Sequence, residues 1–161
     1  MAEAVLSLGS NLGKRAQNIS NALRDIAERI GPIVNLSSIY ETDAWGEEDQ
    51  ARFLNLVLTV QTDLPPHGLW EEISQIEVDH GRNRSSRWRE RTIDIDILFY
   101  DNLVLEDSVL CIPHPRVTDR NFVLVPLLEI CPDRIHPVLG QSIRHLYFLC
   151  QDRLKVYLTS L

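Results

Sequence analysis

The chain has 161 residues, 44% hydrophobic and 24% charged, a balance that fits one globular domain over residues 1–161 with a core of its own. A net charge of −7 argues against a nucleic-acid partner. No apolar run approaches the ~20 residues of a membrane-spanning helix, so no membrane partner is expected. Residues 1–6 lack the basic and apolar character of a leader, making the cytoplasm the expected location. Cys111, Cys131 and Cys150 are too scattered for a disulfide framework or a paired-cysteine zinc site.

In chain order, residues 4–8 read as a short strand ending at Gly9-Ser10-Asn11-Leu12-Gly13, with Ser10 or Asn11 as the expected helix cap. Ile19, Ala22, Leu23, Ile26, Ala27 and Ile30 then recur at helical spacing until Gly31-Pro32 stops the helix. Residues 33–41 and 53–61 read as two further strands, with Trp45-Gly46 and several acids in the loop between them. Pro65-Pro66 opens a second helix, whose stripe is Leu69, Ile73 and Ile76 and whose end lies near His80-Gly81. After an arginine-rich loop comes a strand over residues 92–100. Its alternation places Ile93, Ile95, Ile97 and Phe99 on one face, and Thr92, Asp94, Asp96 and Leu98 on the other. Beyond Pro113-His114-Pro115, short helical or irregular pieces reach about Ile130, and an amphipathic segment starts near Ser142. The order strand–helix–strand–strand–helix–strand predicts an α+β, ferredoxin-like sandwich, a mainly antiparallel sheet with helices packed on it.

Asp94 and Asp96 lie two apart on a strand, so both carboxylates project from one face. They repel each other, and a hard divalent cation relieves that repulsion. Magnesium suits the pair because it takes few protein carboxylates and fills its shell with waters and substrate phosphates. Arg82, Arg84, Arg87, Arg89 and Arg91 enter the same strand directly, supplying fixed positive charge for a transferring phosphate-type group. No Walker loop is present. Phe53 and Asn55 form a second same-face pair, and a buried Asn between leucines needs a partner for its amide, whether a ligand or the protein itself. The residues alone leave open a phosphate-type transferase, a nucleotidyl or glycosyl transferase, and a non-catalytic binding module.

The run Arg91-Thr92-Ile93-Asp94-Ile95-Asp96-Ile97-Leu98, preceded by Gly81-Arg82-Asn83-Arg84 and Arg87-Trp88, resembles the signature of the hydroxymethyldihydropterin pyrophosphokinases of folate biosynthesis. The resemblance extends through Leu8-Gly9-Ser10-Asn11-Leu12-Gly13, Tyr40-Glu41-Thr42, Phe53-Leu54-Asn55, Pro113-His114-Pro115-Arg116 and Arg120-Asn121-Phe122. It implies a ferredoxin-like α+β fold and transfer of pyrophosphate from ATP, the co-substrate, to 6-hydroxymethyl-7,8-dihydropterin, releasing AMP. It further implies that Asp94 and Asp96 hold two magnesium ions and that Arg82 and Arg91 assist catalysis. Glu77, Arg84, Trp88, His114 and Arg120, with the backbone near Ile97 and Cys111, match positions lining the ATP site. Phe53 and Phe122 match an aromatic pair around the pterin, Thr42 and Asn55 match groups reading its polar edge, and Trp45 falls in a substrate-closing loop. Asp43-Ala44, Trp45 and Arg89 depart from the family's pattern in the two loops that close over substrates, and Ser74 replaces a frequent glutamine. Small-molecule substrates and a monomer complete the expectation.

Overall fold

The structure is a computed structural model and describes residues 1–43, 51–81 and 92–159. In chain order the described elements are β1 (Ala2–Ser10), α1 (Arg15–Arg29), β2 (Ile33–Leu36), β3 (Tyr40–Thr42), β4 (Phe53–Thr62), α2 (Pro66–Asp79) and β5 (Asp94–Tyr100). They continue with β6 (Leu105–Glu106), β7 (Cys111–Ile112), a 3₁₀ turn at Val117–Asp119, α3 (Asn121–Ile130), α4 (Ile143–Leu149) and β8 (Val156–Leu158).

Alternation along β1 decides the layering. Ala4, Leu6 and Leu8 enter one apolar cluster and Val5 enters another, so both faces of the sheet carry core. The first cluster is closed by Ile19, Ala22 and Ile26 of α1 and by Leu69, Ile73 and Ile76 of α2. The second is closed by Val123, Leu124 and Leu127 of α3 and by Ile143 and Leu146 of α4. The sheet is antiparallel at every pairing, in the order β5-β1-β4-β3-β8, with β2 beside β4. β6 and β7 form a separate two-stranded ribbon.

Three local expectations are corrected. Neither Ser10 nor Asn11 caps α1: Lys14 occupies the N-cap without a side-chain bond, and Asn18 Nδ2 instead reaches back to the Leu12 carbonyl at 2.8 Å. The single strand expected over 33–41 is two strands. Ser37 interrupts it because its hydroxyl takes the Val57 N–H at 2.9 Å, a bond that competes with a continuous ladder. The regular alternation expected along β5 also fails. The β1–β5 register slips between Val5 and Leu6, which face Phe99 and Ile97, so Leu98 is the extra residue of a bulge. Phe99 therefore joins the α3–α4 cluster with Leu98, while Ile93, Ile95 and Ile97 join the α1–α2 cluster. The expected helical pieces up to Ile130 are the 3₁₀ turn and α3, which runs through Pro126. The segment expected from Ser142 is α4, capped by the Ser142 hydroxyl accepting the His145 N–H at 3.2 Å.

His136 seals the rim of the α3–α4 cluster. It is 6% exposed, its ring meets Phe99 edge-on at 5.8 Å, and its Nδ1 accepts the N–H groups of Val138 and Leu139 at 3.2 and 3.1 Å. Burial holds the imidazole below its ordinary value of 6.5. The unfolded chain then binds the proton more readily than the folded one. This contribution is complete above pH ~6.5 and is lost progressively as pH falls from there through the lower folded-state value. We expect a lower urea midpoint at pH 5.5 than at pH 7.5, and a smaller difference in His136→Gln. Equal pH dependence in the two proteins would contradict the assignment.

Candidate functional site

Register brings the chemistry into rows across the sheet. Gly9 of β1 faces Asp94 of β5 on one side and Asn55 of β4 on the other, and Asn55 in turn faces Tyr40 of β3. Directly opposed residues of antiparallel strands share a face. Asp96, Ser7 and Val57 form the next row on that face. With strands ~4.8 Å apart, the Asp94 and Asn55 backbones stand roughly 10 Å from each other, with Gly9 midway.

The glycine has a steric meaning here. A Cβ at Gly9 would lie 3.1 Å from Asn55 Oδ1 and 3.6 Å from the Phe53 ring. Its absence lets the Asn55 amide and the Phe53 ring lie close over β1, beside the strand position that faces Asp94. Asn55 is 6% exposed, and its Nδ2 donates to Thr42 Oγ1 at 2.8 Å. Thr42 is buried and sits opposite Phe53. Thus Thr42, Phe53 and Asn55 are brought together, and the amide whose partner the sequence left open bonds within the protein.

On the other side of Gly9, Asp94 and Asp96 are half-buried on β5. No cluster of three or more His, Cys, Asp or Glu side chains arranged for a metal occurs among the described residues. Two carboxylates on one strand face fit magnesium, which fills its shell with water and phosphate oxygens, better than a closed zinc or calcium cage. Glu77 is buried on α2, and its Oε1 accepts the Ile95 N–H at 2.8 Å, fixing the backbone between the two aspartates.

His114 is tied to the same strand by its N–H, which donates to the Leu98 carbonyl at 2.9 Å. Its Nδ1 accepts the Arg116 N–H at 3.1 Å, which places the proton of the neutral ring on Nε2. Burial, then the neighbouring Arg120 and Arg116 charges, push its pKa down to about 4 against the opposing pull of Asp94. His114 is therefore a neutral donor at physiological pH. Arg120 stands at the start of α3 with its guanidinium 5.4 Å from the Phe122 ring centroid. Ile97 turns its side chain into the α1–α2 cluster, and Cys111 is exposed on β7. The expectations for Trp45, Arg82, Arg84, Trp88 and Arg91 lie outside the described residues.

Gly9 was missed as a site residue because the motif around it reads equally well as strand-to-helix punctuation. A glycine inside a strand is itself the signal of a close approach. Asp152, which bonds Asn121 beside Phe122, carried no local signal at all.

Comparison with known proteins follows the same lines. A profile of the 7,8-dihydro-6-hydroxymethylpterin-pyrophosphokinase (HPPK) family matches residues 5–132. The 2-amino-4-hydroxy-6-hydroxymethyldihydropteridine pyrophosphokinase of Methylorubrum extorquens is 43% identical over 145 residues, covering 89% of this chain and 90% of that one. The Bacillus subtilis protein of the same name is 44% identical over 129 residues, covering 80% of this chain and 77% of that one. Plasmodium falciparum HPPK-DHPS shares the fold with a TM-score of 0.70 at 23% identity, over 92% of this chain. The chain spans less than half of that longer protein, 43%. The chain belongs to the 7,8-dihydro-6-hydroxymethylpterin-pyrophosphokinase family.

Proposed function

We propose that this chain, a pyrophosphokinase of folate synthesis, moves the β,γ-pyrophosphoryl group of ATP onto the hydroxymethyl oxygen of 6-hydroxymethyl-7,8-dihydropterin. The new bond joins that oxygen to the β-phosphorus, the bond from the β-phosphorus to the α-bridging oxygen breaks, AMP departs, and the hydroxyl proton is released. The observation that carries this reading is the register across Gly9, which sets Asp94 and Asp96 of β5 on one side of β1 and Phe53, Asn55 and Thr42 on the other.

Each side has a distinct task. Phe53 offers an aromatic face to a flat heterocycle, and Asn55, oriented by Thr42, offers its amide edge. Phe122 is assigned to the opposite face of the same ring. Asp94 and Asp96 are assigned to two magnesium ions. Such ions, when bound, neutralise phosphate charge and make the acceptor hydroxyl easier to deprotonate. His114 donates from Nε2 to a phosphate oxygen, and Arg120 adds fixed positive charge nearby. Arg82, Arg84, Trp88 and Arg91, with Trp45, are assigned to closing over the substrates, and Glu77 and the backbone at Ile97 and Cys111 to the nucleotide side. The order β5-β1-β4-β3, with α1 and α2 on one face, supports a ferredoxin-like arrangement to which α3, α4 and β8 are additions. The same reading takes residues 1–161 as one domain working as a monomer in the cytoplasm. No described helix is long and apolar enough to cross a membrane.

Gly9→Ala tests this close approach. The added methyl must displace the Asn55 amide, a strain of roughly 1–3 kcal/mol at the site, so kcat/KM for the pterin should fall by about tenfold or more. The KM for ATP should change less than threefold. An unaltered pterin kcat/KM in a folded Gly9→Ala protein would overturn this placement of the acceptor.

A further inference from the structure

We infer that residues 152–158 brace the acceptor half of the site, with Asp152 as the positioning residue for Phe122. The inference rests on the proposed assignment of Thr42, Asn55 and Phe122 to the pterin.

α3 starts without a cap of its own, since Arg120 precedes it and makes no capping bond. Asp152 supplies the bond from a distant part of the chain. The Asn121 N–H donates to Asp152 Oδ2 at 2.9 Å, and Asn121 Nδ2 donates to the Asp152 carbonyl at 2.6 Å. The second carboxylate oxygen, Oδ1, takes the Leu154 N–H at 2.9 Å, so the carboxylate is itself held in place. Negative charge at this end of α3 also meets the positive end of the helix dipole. Asn121 lies between Arg120 and Phe122, whose side chains stack on each other. Holding Asn121 therefore sets where both neighbours leave the helix.

The same segment continues into β8, where Val156 pairs with Thr42 and Leu158 with Tyr40. The Thr159 N–H adds a bond to the Ile39 carbonyl at 3.1 Å. Thr42 is the residue that receives the Asn55 amide. One stretch of chain is thus bonded to both walls of the acceptor site, to Phe122 through Asn121 and to Asn55 through Thr42. Only residues 153–155 separate the two anchor points, a tether of at most about 14 Å. α3 is fastened to β3 a second time farther along. Glu129 accepts from the Ser38 N–H, the Ser38 hydroxyl and, at 2.6 Å, the Tyr40 hydroxyl, whose pKa burial and that carboxylate raise to about 12. With the far end of α3 fixed independently, loss of Asp152 should free mainly its start. The family profile ends at residue 132, so the brace lies beyond the matched segment.

The test is calorimetric titration of the full chain with 6-hydroxymethylpterin, in the presence of magnesium and a non-hydrolysable ATP analogue. Asp152→Ala should weaken pterin binding by about tenfold. Asp152→Asn, which keeps an acceptor oxygen, should lose less, and it serves as the probe if the alanine variant does not fold. In a double-mutant cycle, adding Asp152→Ala to Phe122→Ala should weaken binding by less than twofold more, because the first residue acts through the second. A merely structural role would lower the melting temperature and give additive losses, and that result would overturn the brace. Wild-type pterin affinity in Asp152→Ala, with weakened affinity in Phe122→Ala, would overturn the brace alone. Wild-type affinity in Phe122→Ala would overturn the assignment of Phe122 on which it rests.

Discussion

Asp94→Asn and Asp96→Asn should each lower kcat by about 100- to 1000-fold, the scale of losing one group that stabilises transition-state charge. Both side chains are half-buried on β5, and asparagine keeps their shape, so the fold should survive. What changes is charge. The pair could then no longer hold the two divalent ions proposed for it against the developing negative charge of the transferring group. The effect should fall on kcat rather than on KM for the pterin, whose proposed contacts lie across Gly9 on β4 and β3. Initial rates of AMP formation, with thermal melts alongside, would check this. A loss under tenfold in either folded variant would remove the aspartates from the chemistry.

Gly31→Ala should be among the most destabilising single substitutions in the chain. Gly31 has φ of +151°, a region that L side chains rarely adopt, and a Cβ there would stand 2.0 Å from the Gln61 carbonyl oxygen. The neighbour is backbone in a ladder, held by Gln61 N–H bonding to the Pro32 carbonyl at 3.0 Å, so it cannot swing aside. Strained backbone adds about 1–3 kcal/mol and overpacking a similar amount, giving a combined loss of roughly 4 kcal/mol. Urea unfolding at pH 7.5 would measure it. A loss below about 1 kcal/mol would mean that the turn between α1 and β2 adjusts freely.

The parts of the fold that were legible in the sequence share a physical cause. α1 and α2 were readable because a helix buries one stripe, and Ile19, Ala22 and Ile26, or Leu69, Ile73 and Ile76, keep that period without interruption. The aspartate pair was readable because two residues in a strand make one face. What escaped depends on partners far along the chain. The bulge at Leu98 is set by how β5 meets β1, and it sends Phe99 to the opposite core from the one its alternation implies. β8 is a three-residue strand that exists because β3 offers it an edge. The short ribbon of β6 and β7 likewise has too few residues to show a period.

The site divides in the same way. Asn55 was recognisable as a buried amide needing a partner, but only the pairing of β3 with β4 supplies Thr42. Gly9 gains its meaning from Asp94 on one side and Asn55 on the other, two residues joined to it only by register. His114 could be placed between two prolines, yet its neutral state comes from burial and from Arg120 and Arg116, which the spacing of Pro113 and Pro115 does not encode.

The most direct test of the central claim is the product of a single reaction. Purified protein with ATP, magnesium and 6-hydroxymethyl-7,8-dihydropterin should release AMP and the pterin diphosphate in equal amounts, with no ADP. Release of ADP with a pterin monophosphate, or no pterin-dependent consumption of ATP, would contradict it.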